Sequence, residues 1–264
     1  MIKALFFDID GTLVSFATHA IPPSTREALE QLRQRGVKLF IASGRHPSDI
    51  FPISDFPFDG YIALNGGYCL AGRDEVVFRR TIDPADIERL IEWQQGPDAF
   101  ACVLAGEGEM FLNFVDDRVL RVRKLVETDN PAAVLPFEAW CAAARRGVMQ
   151  LIAFFGPKEE PRLMHEVLPH CRSMRWNPLF TDIVPTGVSK AEGIDRLLSR
   201  FGIGPDETMA FGDGGNDIPM LEHVGVAVAM GNAAPEVKRA ADYVTTSVDD
   251  HGIARALRHF GLIG

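Results

Sequence analysis

Apolar positions along this chain follow two rhythms that alternate near both ends. KALFFDI at 3–9, VKLFIASG at 37–44 and GYIALNGG at 60–67 hold nearly continuous apolar runs, while STREALEQLRQRG at 24–36 places Leu29 and Leu32 on one stripe of a polar segment. Short continuous runs fit strands covered on both faces, and the stripe fits a helix laid over them. The stretch predicts a β-α-β unit whose parallel strands are joined by a crossover helix. Ser24 followed by Glu27 reads as a capping box for that helix, and Gly36 as its stop.

The rhythm returns in SKAEGIDRLLSRFG at 189–202, a helix with a second capping box, Ser189 to Glu192, and a stripe of Ile194, Leu197, Leu198 and Phe201. ETMAFGDGG, VGVAVAMGN and DYVTT then supply strands, and a last helix starts at about Asp250. Between these ends the texture changes: AFACVLA, EMFLNF and VMQLIAFF read as strands among helical pieces such as PADIERLIEWQ and EEPRLMHEVL, without glycine-punctuated strand-turn-helix units. Residues 1–79 and 186–264 therefore read as a doubly wound α/β core with a parallel sheet, and residues 80–185 as an inserted α+β domain.

Composition narrows the classes of function. Of 264 residues, 47% are apolar and 24% charged, as in ordinary folded domains. The net charge of −9, with no Lys/Arg block, argues against nucleic acid or anionic lipid as a partner, so an anionic ligand needs a local site. Cys69, Cys102, Cys141 and Cys171 stand far apart without a CxxC pair, which fits buried, reduced thiols. Asp8 interrupts the N-terminal apolar run, and no run approaches the ~20 residues of a membrane span; a cytoplasmic protein is expected. Trp140 and Trp176 read as core aromatics and Arg145-Arg146 as a solvated pair. Nothing in the pattern sets an oligomeric state.

Chemistry enters where the strands end, because ligands of open parallel sheets bind beyond the carboxyl ends. Four polar clusters fall there: Asp8 and Asp10, Ser43 to Arg45, Asn65 to Gly67, and Asp213 to Asp217. For Asn65 a plain turn stands level with a functional role, since NG is a strong hairpin signal. Asp8 is harder to dismiss: a carboxylate in a strand of Leu, Phe and Ile is costly to bury unless paired or metal-bound, and three more aspartates nearby add like charge. Hard oxygen donors without His or Cys point to Mg²⁺. A calcium loop counted from Asp213 fails, because Ile218 and Val224 occupy the positions that need glycine and an acid. Lys190, one of six lysines beside twenty-one arginines, falls at the first helical position, where it opposes the helix dipole unless an anion sits in front. Carboxylates, a cation, the Ser43 hydroxyl and Lys190 together suit phosphoryl transfer, with one aspartate as nucleophile and the second as acid and base.

DIDGT at 8–12, SGR at 43–45, Lys190 in GVSKAEGI and GDGGND at 212–217 resemble, in order and context, the motifs of the haloacid dehalogenase superfamily of phosphatases. NGG at 65–67 and the placement of the insert are similar to the Cof-type subclass with an α/β (type IIB) cap. The resemblance implies a Rossmann-like core and a cap at 80–185 that sets specificity. It implies Asp8 as nucleophile, and Asp10 as general acid/base with its carbonyl on Mg²⁺. Asp213 would be a further metal ligand and Asp217 would support the metal shell. Ser43, Lys190 and Asn216 would hold the phosphoryl group, Gly44 would offer close backbone approach, and Arg45 and Asn65 would belong to the substrate side. The implied substrates are small phosphorylated metabolites, sugar phosphates foremost. A phosphomutase or phosphotransferase would use the same Asp8. A receiver-like module or a non-catalytic phosphometabolite-binding protein is the competing class, against which stand the second aspartate of DID and the long insert.

Overall fold

In the computed structural model, which describes residues 1–53, 55–126 and 132–264, the apolar runs become strands. The side chains of Leu125, Val126 and Trp176 are outside that set, so the expectation for Trp176 lies outside the described residues. The chain begins with β1 (Ala4–Phe7), α1 (Pro23–Gln34), β2 (Lys38–Ala42), α2 (Pro47–Ile50), β3 (Gly60–Ala63), β4 (Tyr68–Ala71) and β5 (Glu75–Arg79). The middle runs α3 (Pro84–Trp93), β6 (Ala101–Ala105), β7 (Met110–Leu112), α4 (Asp117–Val126), β8 (Ala133–Val134), α5 (Phe137–Ala144), β9 (Gln150–Phe154), α6 (Glu160–Glu166), β10 (Cys171–Asn177) and β11 (Phe180–Pro185). The chain ends with α7 (Lys190–Phe201), β12 (Thr208–Gly212), α8 (Ile218–Leu221), β13 (Val226–Ala229), α9 (Pro235–Arg239), β14 (Tyr243–Val244) and α10 (Gly252–His259). Residues 1–45, 50–78 and 189–264 form one unit, and 46–49 with 79–188 a second.

The first unit carries an eight-stranded sheet in the order β14-β13-β12-β1-β2-β3-β4-β5. β1 runs parallel to both β2 and β12, and β13 and β14 continue in that sense. The chain leaves β1 toward β2 and returns on its other side at β12, so β1 marks the point where the winding reverses, and it is beyond the strand ends at such a point that doubly wound sheets bind ligands. Every residue of β1 and β12 is buried, which is why these strands read as unbroken apolar runs. Ala4 and Phe6 pack with Ile194, Leu197 and Leu198 of α7, and Phe6 stacks on Phe40 with ring centroids 4.9 Å apart. Phe7, one step along the pleat, stacks instead on Phe211 at 5.2 Å. Full burial of each such ring stabilises the sheet by roughly 1.5–3 kcal/mol.

One local expectation fails. The capping box at Ser24 and Glu27 is not formed: α1 begins at Pro23 after Pro22, with no side-chain cap, and Ser24 Oγ lies 2.8 Å from His251 Nδ1. Proline's fixed φ sets the first turn there and places Ser24 inside the helix. At the second box only one half forms: Ser189 Oγ accepts from the Glu192 amide at 3.1 Å, while the Glu192 carboxylate pairs with Arg196 at 3.4 Å.

The second unit carries a six-stranded sheet, β10-β11-β9-β6-β7-β8, antiparallel except between β7 and β8. Cys102, Leu104, Leu151 and Ala153 face Leu90 of α3, Trp140 of α5 and Leu163 of α6, and Trp140 is fully buried as expected. Ala101, Val103 and Phe154 face Val119 and Val122 of α4. Arg145 stays exposed, paired with Glu88 at 2.7 Å. All four cysteines are free thiols, three of them buried and Cys171 partly so. Among the described residues no helix is long and apolar enough to cross a membrane.

Candidate active site

The four polar clusters meet in the first unit. Asp8 follows β1 directly, its amide still donating to Phe211 O at 3.0 Å, so the strand delivers this carboxylate at its carboxyl end with 7% of the residue exposed. The chain then turns, with the Val14 amide returning to Ile9 O at 2.7 Å. Gly11 makes that turn at φ +81°, and a Cβ there would lie 2.3 Å from Asp213 Oδ2. Only glycine allows both the turn and the approach of the loop after β12.

Lys190 is the first residue of α7 and is fully buried. Its Nζ donates to Asp8 Oδ1 and to Asp217 Oδ1, each at 2.6 Å. Asp217, also fully buried, accepts at Oδ2 from the amides of Asp213 at 3.0 Å and Gly214 at 2.9 Å, and so shapes its own loop. Asp213 Oδ1 accepts from Thr12 Oγ1 at 2.7 Å and its Oδ2 from Asn232 Nδ2 at 3.1 Å. Asp10 is held by a two-pronged pair with Arg45, Nε to Oδ2 at 2.8 Å and Nη2 to Oδ1 at 2.6 Å. The Arg45 amide in turn donates to Ser43 Oγ at 3.2 Å, and Ser43 is 2% exposed. Asn65, at φ 55°, shapes the turn between the antiparallel strands β3 and β4, and its Oδ1 accepts from Asn216 Nδ2 at 3.1 Å. Gly44 lets Asn65 pack close, since a Cβ would meet the Asn65 amide at 3.0 Å.

Burial pushes the Asp8 carboxyl well above the usual carboxylate range, and Asp217, Asp213 and Asp10 add to the rise against the opposing pull of Lys190. Burial likewise raises Asp213 to about 6, opposed by the Thr12 hydrogen bond and helped by Asp217. For Lys190 burial acts downward, but Asp217 and Asp8 outweigh it and keep the ammonium charged. Four carboxylates thus meet two cations, Lys190 and Arg45. Oxygens of Asp8, Asp213 and Asp217 lie within 4.8 Å of one another, and the donors are all hard, so the excess negative charge and the donor chemistry both fit a divalent cation of the Mg²⁺ type.

Two groups escaped the sequence reading. Thr12 was seen only as part of DIDGT, and Asn232 only as the end of VGVAVAMGN. The available signal for Asn232 was its position: a polar residue just past a strand parallel to β12. Lys190 was expected at a helix start facing an anion; the structure keeps it there and turns its ammonium onto two aspartates. Arg45, read as a substrate contact, here grips Asp10. A second group of ligating atoms, from Asp83, Asp86 and His170, also falls within 4.8 Å, in the second unit.

Residues 5–257 match the haloacid dehalogenase-like hydrolase family. YkrA of Bacillus subtilis (strain 168), a provisional phosphatase by name, is 36% identical over 264 residues, spanning 99% of this chain and 98% of its own. The HMP-PP phosphatase of Serratia proteamaculans (strain 568) is 29% identical over 269 residues, spanning 98% and 96%. The solved structure of the subclass IIB sugar phosphatase BT4131 aligns at a TM-score of 0.87 and 39% identity, covering 99% of this chain and 100% of that one. The phosphatase BT1666 of Bacteroides thetaiotaomicron aligns at 0.89 and 39% identity, covering 100% and 96%.

Proposed function

The chain belongs to the haloacid dehalogenase-like hydrolases and is a phosphatase, and on that footing we propose that it hydrolyses small phosphomonoesters, sugar phosphates foremost, through an aspartyl phosphate on Asp8. The observation that carries this reading is the buried Lys190 joining Asp8 to Asp217, beside Asp213, at the end of β1. The ammonium locked between two carboxylates pulls Asp8 toward its ionised, nucleophilic form, against the burial that raises its carboxyl.

Asp8 attacks phosphorus, and the bond from phosphorus to the ester oxygen breaks. Asp10 gives its proton to that departing oxygen, then takes one from the water that attacks the aspartyl phosphate; the bond to Asp8 breaks and inorganic phosphate leaves. Ser43, Lys190 and Asn216 hold the phosphoryl oxygens, Gly44 offers its backbone close by, and Asn65 fixes Asn216. Arg45 orients Asp10 and must release one of its oxygens for the proton to move. Asp8, Asp213 and the Asp10 carbonyl, with Asp217 behind them, would hold Mg²⁺, which when bound neutralises the gathered charge of carboxylates and phosphate. Residues 80–185 serve as the cap that discriminates among the organic parts of substrates, in a cytoplasmic enzyme.

Phosphate release from a panel of sugar, polyol and nucleoside phosphates tests this, with Mg²⁺ and with exhaustive chelator. Turnover that needs Mg²⁺ and leaves acid-stable label on Asp8 is expected. Full activity in chelator, or transfer to a sugar hydroxyl in place of phosphate release, would overturn it in favour of a metal-free route or a phosphotransferase.

A further inference from the structure

Asn232 sits where three loops of the first unit meet. Its Nδ2 donates to Gly11 O at 2.9 Å and to Asp213 Oδ2 at 3.1 Å, and its Oδ1 accepts from the Val248 amide at 3.1 Å. Each partner permits one polarity only: a carbonyl and a carboxylate accept, and a backbone amide donates. The orientation of the Asn232 amide is therefore fixed, and its three bonds tie the turn after β1, the loop after β12 and the turn at 247–250 into one frame. Gly231 makes the seat, because a Cβ there would lie 2.7 Å from Ser247 N.

The four aspartates of the site are held differently. Asp8 and Asp217 meet Lys190, and Asp10 meets Arg45. Among the described residues Asp213 has no Lys or Arg ion pair; neutral donors hold it, Thr12 at one oxygen and Asn232 at the other. Each neutral bond uses one lone pair per oxygen and leaves another open, without cancelling the charge that attracts a cation. We propose that Asn232 is a positioning residue that aims Asp213 at the divalent cation and links its placement to Gly11, the residue after Asp10. This rests on the assignment of Asp213 as a metal ligand under the proposed function.

The groups that hold a ligand in place commonly matter to metal affinity by about 10–100-fold. Asn232→Ala should therefore raise the Mg²⁺ concentration for half-maximal activity, and the Mn²⁺ dissociation constant read by electron paramagnetic resonance, by about 10-fold or more. The KM for the phosphate ester at saturating metal should stay near that of the parent. A purely structural role would lower the melting temperature in chelator and leave both metal readouts alone, and that result would overturn the proposal. Should Asn232→Ala fail to fold, Asn232→Ser, with too short a side chain to bridge the same partners, gives the same metal readouts. Parent protein that binds no Mn²⁺, or Asp213→Asn that binds it as the parent does, would instead sink the metal-ligand assignment itself. Mn²⁺ binding lost in Asp213→Asn but unchanged in both Asn232 variants would sink only the role of Asn232.

Discussion

Two groups of potential ligands in this chain look alike by proximity and differ in chemistry. Asp8, Asp213 and Asp217 in the first unit, and Asp83, Asp86 and His170 in the second, each bring three donor atoms within 4.8 Å. In the second group the acids already serve other partners. Asp86, fully buried, binds Arg89 and His170 Nδ1 through Oδ1, and accepts from the His170 amide at 3.0 Å through Oδ2. Asp83 caps α3, accepting from the Ala85 amide at 2.8 Å. Those bonds fasten the start of α3 to the turn before β10, a structural task. In the first group, among the described residues, Asp213 is held by neutral donors and carboxylates outnumber cations. Closeness of acids does not make a reactive site; uncompensated charge held in place by a fold does.

The sharpest break between the two groups is turnover. Asp8→Asn keeps the shape and removes the attacking charge, so phosphate release should fall on the order of 10⁴-fold or more, while Asp86→Asn stays within about twofold of the parent. A reversal in the same assay would assign the chemistry to the wrong unit.

Next comes Lys190→Ala, which strands Asp8 and Asp217 in a buried position. Removing one partner of such a pair costs about 3–5 kcal/mol, to be read from urea unfolding of the metal-free protein at neutral pH. The sequence alone allows a small effect on folding, since a lysine at a helix start opposes the dipole; the buried geometry reverses that expectation. A variant as stable as the parent would show that the ammonium does not hold the two buried carboxyl groups together.

A smaller difference lies in pH. With its carboxyl raised to about 6 from the ordinary 3.8, Asp213 in the folded metal-free protein keeps a proton that the unfolded chain has already released. Its contribution to stability is complete below about pH 4 and is lost as pH rises through about 6, a change of about 3 kcal/mol. Against Asp213→Asn the parent should lose ground across that window and run level above it in calorimetry with chelator present. A difference that does not change between pH 4 and 7 would mean that Asp213 titrates as an exposed acid. Smallest of all, Asp86→Asn should lower stability by about 1–3 kcal/mol and leave Mg²⁺ dependence untouched, checked by thermal melts and metal titration. An altered metal requirement would make the second group a site after all.

The backbone of this comparison was largely legible in the chain. Buried parallel strands must be apolar along their whole length, so ALFF, KLFIA and TMAFG announced themselves, and the polar residues just beyond them marked the strand ends where DIDGT, SGR and GDGGND gather. The Ser24 box misled because a local motif was weighed without the two prolines that set the helix start. Motif and period are properties of neighbours in sequence, and they speak for elements and for which loops converge.

Partnership is another matter. That Lys190 would reach Asp8 across 182 positions and Asp217 across 27, that Arg45 would take both oxygens of Asp10, and that His170 would meet Asp86 depends on where strands and helices cross. So does the place of Asn232, which reads as the end of an ordinary strand until the turn at 247–250 and the loop after β1 close around it. The sequence by itself determined the strands of the parallel sheet and the polar residues delivered to their carboxyl ends, because hydrophobic burial acts on local pattern. Which charge neutralises which was decided only in three dimensions, because Coulomb attraction and desolvation depend on distance and depth, and the chain order holds neither.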